Sequence, residues 1–138
     1  KLLGIVSERG LEVGNKTSVA MAGRLAQPQT ADEFAQLIEQ TLGRKPLVNQ
    51  VNNEKIETIA WCTGGGQGYI DMAATQGIDA YLTGEASEQT IHTSREMNIN
   101  FFAAGHHATE RYGIKAVGEH VAQTLGVEVV FVDIDNPV

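Results

Sequence analysis

The sequence has a single cysteine, no long apolar run and few basic residues, and each shortage excludes a class of protein. Because Cys62 is alone, no internal disulfide can form, which favours a reducing, cytoplasmic location. The longest apolar runs are far shorter than the roughly 20 residues that cross a bilayer, so no membrane association is expected. Ten Lys and Arg among seventeen Asp and Glu leave a formal net charge of -7, which excludes general binding to a nucleic-acid backbone.

The length and composition favour one compact domain. The chain has 138 residues, of which 42% are hydrophobic and 20% charged, as in ordinary globular proteins. No targeting segment, low-complexity linker or repeat is visible. The sequence opens at Lys1 without a methionine, and Leu2, Leu3 and Val6 have helical spacing. We therefore expect a single α/β region over residues 1–138 that opens within a helix and is a fragment of a longer chain.

The best-marked helix follows a predicted strand at residues 17–25. Thr30 and Glu33 have the spacing of a capping box at its start, and Gly43 is placed to end it. Its buried stripe would consist of four apolar residues: Phe34, Leu37, Ile38 and Leu42.

Strands and helices alternate along the rest of the chain. The pattern predicts strands at residues 46–51, 55–63, 79–84, 99–105 and 127–134, and helices at about 67–76, 86–97 and 106–125. Because parallel neighbours need crossover connections, this alternation favours an α/β fold, a layered sheet with flanking helices. The early helix could instead belong to a small α+β insertion.

Three of the predicted strand-to-helix turns carry residues suited to chemistry. They are Thr63–Gly66, Thr83–Glu85 and Gly105–His107. Ligands of open α/β sheets bind at the carboxyl ends of the strands. If these strands are parallel, all three turns lie along one edge of the sheet.

The third turn opens the predicted helix 106–125, where His106 and Glu110 are one turn apart on the same face. An imidazole and a carboxylate that point together suit Zn, Mn, Fe or Ni, although such a pair is also common as an exposed salt bridge. His107 is rotated by about 100° around the helix axis. The His106 face continues through an apolar stripe expected to pack inward: Ile114, Val117, Val121 and Leu125.

Two ligands are too few for a catalytic ion, which needs about three from protein. Glu85, at the entrance of another helix, is a candidate for a role in the site, and a simple first-turn acid is the alternative. His92 and His120 are predicted to be surface or packing residues.

The glycines of Thr63–Gly66 permit either a tight turn or an anion cradle built from N–H groups. The turn lacks the lysine of a P-loop and the spacing of a dinucleotide fingerprint, so a tight turn is favoured. Cys62, with no basic partner nearby in sequence, is predicted to be a buried structural thiol rather than a nucleophile.

Taken as a set, three motifs carry a family resemblance. The segments are AWCTGGGQGYIDMA, DAYLTGEASEQTIH and AAGHHATERYGIKA. In this order and spacing they resemble the C-terminal half of the NIF-three-like family, whose members are named GTP cyclohydrolase I type 2 homologues, and most of all its bacterial YbgI branch. The likeness covers essentially all 138 residues.

The resemblance implies a two-domain-like α/β protein of which residues 1–138 form the C-terminal part. It also implies a homohexameric ring with a dinuclear centre of two divalent ions per full-length subunit. His106 and Glu110 match the family's ligand positions, whereas His107 falls at a position where relatives carry Tyr. The other ligands, a pair of histidines and an aspartate, would precede Lys1. Glu88 and Gln89 depart from the family pattern, in which many relatives have basic or His residues, so no substrate contact is assigned to these two positions.

The function expected from these features is a metal-dependent hydrolase that acts on a nucleotide or a related heterocycle. His106 and Glu110 would be metal ligands, and Glu85 would be the catalytic acid/base or an outer group that supports a ligand. The alternative is a metal-binding scaffold that forms a ring or binds a partner without turnover.

Overall fold

The computed structural model describes residues 2–138 and confirms the α/β prediction. Its strands are β1 (Ile5–Gly10), β2 (Met21–Gln29), β3 (Leu47–Asn49), β4 (Ile56–Cys62), β5 (Ala80–Thr83) and β6 (Asn100–Ala103). Its helices are α1 (Ala31–Leu42), α2 (Ile70–Thr75), which follows a 3-10 turn at Gln67–Tyr69, α3 (Glu88–Glu96) and α4 (His106–Leu125).

The strands form one mixed sheet in the order β1-β2-β4-β5-β6-β3. The central strands β4, β5 and β6 are parallel, and the remaining neighbours are antiparallel. Helices α2 and α3 provide the crossovers between the parallel strands. The carboxyl ends of β4, β5 and β6 therefore meet at one edge, as the sequence predicted.

Alternate residues of the central strands supply two separate cores. Leu82 and Phe102 face one side, where they pack with Phe34 of α1 and with α4. Tyr81 and Phe101, their neighbours in sequence, face the other side and pack with α2. This alternation places α1 and α4 on one face and α2 and α3 on the other.

Helix α1 follows the sequence prediction closely. The Thr30 hydroxyl accepts from the Glu33 N–H, the Glu33 carboxylate accepts from the Thr30 N–H, and Gly43 ends the helix in the left-handed conformation. Its buried side chains include Phe34, Ile38 and Leu42, which belong to the main core. The helix is therefore part of the layered fold and not of a separate α+β insertion.

The start of the chain differs from the prediction. Residues 5–10 form strand β1, not a helix, and pair with β2, where Ile5 lies opposite Leu25. The spacing of three apolar residues is too short a pattern to separate helix from strand, and pairing with a long neighbour decides the outcome. Strand β2 itself begins at Met21, four residues later than predicted, because Thr17 and Ser18 belong to the preceding turn.

The predicted strand 127–134 is also wrong. These residues form no helix or strand and pair with no strand of the described chain. They run back along α4 instead: the Lys115 ammonium lies 5.8 Å from the Phe131 ring centroid, and the Val138 carbonyl accepts from the His107 N–H at 3.1 Å. A valine-rich run favours a strand, but a strand forms only where a sheet edge is within reach. We call residues 127–138 the C-terminal segment.

The apolar stripe of α4 does not pack inward as predicted. Ile114 is 66% exposed, Val117 56% and Leu125 69%, and Ala108 is the helix's one buried residue. The helix contacts the sheet through the side that carries Ala108 and Tyr112, which lies away from the predicted stripe. Helical periodicity identifies an apolar face but not the surface against which it packs.

Within residues 2–138 no helix combines the length and the apolar character needed to cross a bilayer.

The attachment of the C-terminal segment depends on one carboxylate. Asp133 binds His107 Nε2 at 2.9 Å and Arg111 Nη1 at 2.8 Å, and these two partners, His107 first, lower the pKa of Asp133 below its ordinary value. A lowered pKa stabilises the attachment above the unfolded-state pKa near about 4, and the effect is lost as pH falls through the folded-state value. Asp133→Asn should therefore speed exchange of the His107 amide at neutral pH, because the His107 N–H donates to the Val138 carbonyl of this segment.

The matched control is Asp135→Asn, because Asp135 lies in the same segment and forms no ion pair among the described residues. Equal exchange rates in the two variants would show that the Asp133 contacts do not hold the segment.

Candidate metal centre

The three polar turns are joined by backbone hydrogen bonds at the carboxyl edge of the parallel strands. The Gly84 N–H donates to the Gly64 carbonyl at 2.9 Å, and the Gly105 N–H donates to the Gly84 carbonyl at 2.9 Å. The parallel ladder thus continues past the strand ends into the turns. The side chains that follow each turn are held on one rigid edge.

Buried and half-buried hydroxyls fix the first turn. The Thr83 hydroxyl accepts from the Gly66 N–H at 3.2 Å and donates to the Gly64 carbonyl at 3.1 Å, while the Tyr81 hydroxyl donates to the Gly66 carbonyl at 2.5 Å. From α4, the Thr109 hydroxyl accepts from the Gly64 N–H at 2.9 Å. Because these N–H groups already have partners, the structure favours the tight turn over the anion cradle.

His106 lies between two carboxylates on different elements. Its Nδ1 is 2.6 Å from Glu85 Oε1, which follows β5, and its Nε2 is 3.2 Å from Glu110 Oε2, one helical turn further along α4. The two ring nitrogens point in opposite directions, so the carboxylates do not meet each other. The structure thus brings together all three residues singled out in the sequence.

The two contacts of His106 have different consequences. A carboxylate that accepts a hydrogen bond from Nδ1–H keeps the proton on that nitrogen and leaves the Nε2 lone pair free for a metal ion, which is how ligand histidines are commonly supported. The hydrogen bond that His106 donates to Glu85, followed by the charge of Glu110, raises the pKa of His106. Glu85 precedes the N-cap Ser87, and Glu88 is the first-turn acid of α3, so the alternative role considered for Glu85 belongs to Glu88.

Gly64 leaves room for the pair of side chains. A Cβ at this position would lie 2.9 Å from His106 Nε2 and would collide with Glu110 Oε1. The residue also has a φ of 65°, in the left-handed region that favours glycine. Both requirements make glycine necessary where His106 and Glu110 converge. An imidazole nitrogen and a carboxylate oxygen 3.2 Å apart are suitable donors for Zn, Mn, Fe or Ni.

The described residues provide only part of a metal site. Within residues 2–138 no three His, Cys, Asp or Glu side chains are arranged to hold an ion together, because Glu85 faces the nitrogen remote from Glu110. The side chains of His106 and Glu110 are 39% and 51% exposed, so the pair is open on one side. An ion held here has free positions for further ligands and water.

The other histidines lie outside the pair. His107 binds Asp133, and His92 and His120 are exposed, as predicted for the latter two. Cys62 is half-buried, and burial, with the nearby charge of Glu110, raises the pKa of its thiol. A thiol that resists ionisation is a poor nucleophile, although Cys62 is less buried than predicted.

Sequence reasoning missed the residues that support the pair. Thr109, Thr83 and Gly64 fix the turn through contacts between segments far apart in the chain. Repeated threonines beside the glycine turns were the available signal, but their partners become visible only in the folded chain.

These features define a class: a mixed α/β protein with a polar site where three parallel strands end. The model of one family, Duf34/NIF3 (NGG1p interacting factor 3), matches residues 1–137. The chain belongs to this family, which confirms the resemblance seen in its motifs.

Similar proteins agree with this assignment. Proteins named GTP cyclohydrolase 1 type 2 homolog are 54% identical in Vibrio cholerae and 58% identical in Pasteurella multocida, each over 99% of this chain and 54% of the relative. The chain therefore spans about half the length of these relatives. The solved structure of protein ybgI has a TM-score of 0.93 at 47% identity, over 99% of this chain and 54% of that one. The solved structure of a Thermus thermophilus protein has a TM-score of 0.80 at 30% identity, over 99% and 53%.

Gly64→Ala tests whether the close approach of His106 and Glu110 to residue 64 requires glycine. The new methyl group would displace Glu110 and strain the backbone, so we expect a loss of about 1–3 kcal/mol in the free energy of unfolding. Gly68→Ala is the matched control, because a Cβ there meets no atom within 4 Å and the backbone is not left-handed. Chemical denaturation measures both variants, and equal stability would contradict the proposed constraint.

Proposed function

We propose that this protein is a metal-dependent hydrolase whose metal ligands include His106 and Glu110. The observation that carries the proposal is the convergence of His106 Nε2 and Glu110 Oε2, 3.2 Å apart, over a glycine that leaves space for them. The relatives' shared name, GTP cyclohydrolase 1 type 2 homolog, supports a nucleotide or a related heterocycle as the substrate class.

The roles of the three side chains follow from their positions. His106 donates its Nε2 lone pair, Glu110 donates a carboxylate oxygen, and Glu85 holds the imidazole in the required tautomer through Nδ1. Divalent ions, when bound, lower the pKa of a coordinated water enough for hydrolysis near neutral pH. In this proposal Glu85 is a positioning residue, because its side chain acts through His106. Two ions per subunit, a dinuclear centre, require ligands beyond these residues, as the family resemblance implies.

A second candidate function is a metal-binding scaffold that self-associates, as in the homohexameric ring implied by the resemblance. The observation that favours it is the exposed apolar face of α4, which carries Ile114 and Val117, because Ile114 also lines the cleft that contains His106 and Glu110. Exposed apolar surface of this kind is typical of interaction sites. In a scaffold the ion would organise subunits without turnover.

Replacement of His106 tests the metal site that both candidate functions require, and the hydrolysis assay then separates the hydrolase from the scaffold. His106→Ala should lower the metal content and abolish hydrolysis, because no other described histidine pairs with Glu110, and a chelator should abolish hydrolysis by the unmodified protein. The matched control is His107→Ala, since His107 is adjacent but binds Asp133. Elemental analysis and assays with GTP and other nucleotides measure the two effects.

Metal-dependent assembly without hydrolysis of any nucleotide tested would favour the scaffold. A metal content in His106→Ala equal to that of the unmodified protein would contradict the assignment of His106 as a ligand.

Glu85→Ala tests the positioning role. Loss of a carboxylate that supports a ligand histidine weakens metal binding by about 10–100-fold, and Glu85→Gln, which keeps an acceptor oxygen, should recover part of that loss. Glu88→Gln is the control, because its carboxylate is exposed and contacts only His92, at 3.8 Å. Metal titration measures the dissociation constants. Unchanged affinity in Glu85→Ala would exclude the role.

A further inference from the structure

An apolar cavity of about 400 Å³ lies beside the candidate metal pair. It is formed at the ends of β4 and β5, between Trp61 and Leu82 on the sheet and Tyr112 on α4. Its volume is within the range of small-molecule sites, and the carboxyl edge of parallel strands is where such sites occur.

The cavity and the metal pair share a wall. Thr63 lines the cavity and precedes Gly64, whose Cα faces His106 Nε2 and Glu110 Oε1. Thr109 also lines the cavity, and Glu110 follows it on α4. A molecule bound in the cavity is therefore separated from His106 and Glu110 by the backbone turn at Gly64 and the side chain of Thr109.

The cavity is lined by uncharged side chains, which suit a flat ring better than a charged group. None of the side chains that line the cavity carries a charge, and Trp61 and Tyr112 contribute aromatic surface. Aromatic and aliphatic walls favour a planar ring over a phosphate or a carboxylate. Thr63 adds a hydroxyl at the rim, which suits a ring that carries polar atoms on its edge.

A second cleft on α4 is mixed in character. Its lining includes His106, Glu110 and Arg111, which offer polar and charged contacts, and apolar side chains such as Ile114 and Phe131. A ligand with an uncharged ring and a polar remainder would satisfy both spaces, with the ring in the cavity and the remainder towards the pair.

We propose that this cavity is the subsite for a planar aromatic heterocycle, the ring of the substrate, with Trp61 as one wall. The inference rests on the proposed function for the orientation of the substrate, but binding of the ring itself can be measured without turnover.

Gly113 allows the cavity to be filled from α4. It lies at the rim, and a Cβ there meets no atom within 4 Å, so a larger side chain can be accommodated without a clash at Cβ. Leucine also has a higher helix propensity than glycine. Gly113→Leu should therefore fold while its side chain occupies the ring's space. Ala116→Leu is the matched control, because Ala116 is exposed on the same helix and does not line the cavity.

The test is titration of the protein with guanosine, an uncharged nucleoside, followed by the fluorescence of Trp61, the sole tryptophan. We expect a saturable change with guanosine, none with ribose, and a dissociation constant that is raised at least about tenfold in Gly113→Leu but unchanged in Ala116→Leu. Circular dichroism verifies that both variants are folded.

Each result decides between the two proposals. Saturable binding that persists with a chelator, in a protein without hydrolytic activity, would support the ring subsite and reject the hydrolase. Hydrolysis of nucleotides that is unaffected by Gly113→Leu would reject the subsite and leave the hydrolase intact. Absence of a saturable guanosine signal, or an equal response to ribose, would also overturn the subsite.

Discussion

The backbone hydrogen bonds that join the three polar turns are the constraint on which the site depends. They run from Gly84 to Gly64 and from Gly105 to Gly84, and so fix the spacing between segments about 20 residues apart in the chain. Only strands that end side by side can make such bonds, which is why the parallel order of β4, β5 and β6 matters more to the site than the antiparallel flanks. Glu85 and His106 meet because the strands before them are neighbours.

The carboxylates around His106 determine whether its imidazole binds a proton or a metal cation. One imidazole lies between two carboxylates, and the hydrogen bond to Glu85 and the charge of Glu110 raise the pKa of His106. A metal ion would compete only with the proton on Nε2, because the Nδ1 proton is held by Glu85. Metal binding at such a site releases a proton and strengthens as pH rises through the pKa of the histidine. Glu85 and Glu110 therefore stabilise the protonated imidazole of His106. Once the imidazole is neutral, the same carboxylates would stabilise a cation bound in place of the proton.

Sequence reasoning succeeded where the determinants are local. The capping box of Thr30 and Glu33 and the i, i+4 spacing of His106 and Glu110 specify geometry within one helix, and the structure shows both. It failed where the outcome depends on a partner surface. Residues 127–134 have the composition of a strand but pair with no strand of the described chain, and residues 5–10 form a strand because β2 pairs with them. The role of Gly64 was likewise invisible, because the atoms that crowd it come from α4.

One incorrect prediction, the buried stripe of α4, concerns the same side of the helix as the candidate site. Ile114 and Val117, expected in the core, are exposed on the side of α4 that also carries His106 and Glu110. Exposed apolar surface costs free energy unless another surface covers it, and a pair of ligands is insufficient for a catalytic ion. Both features lie on one side of one helix, so a single protein surface packed there would bury the stripe and lie close to His106 and Glu110. This coincidence connects the proposed metal chemistry with the proposed self-association, since contact at that face would serve both.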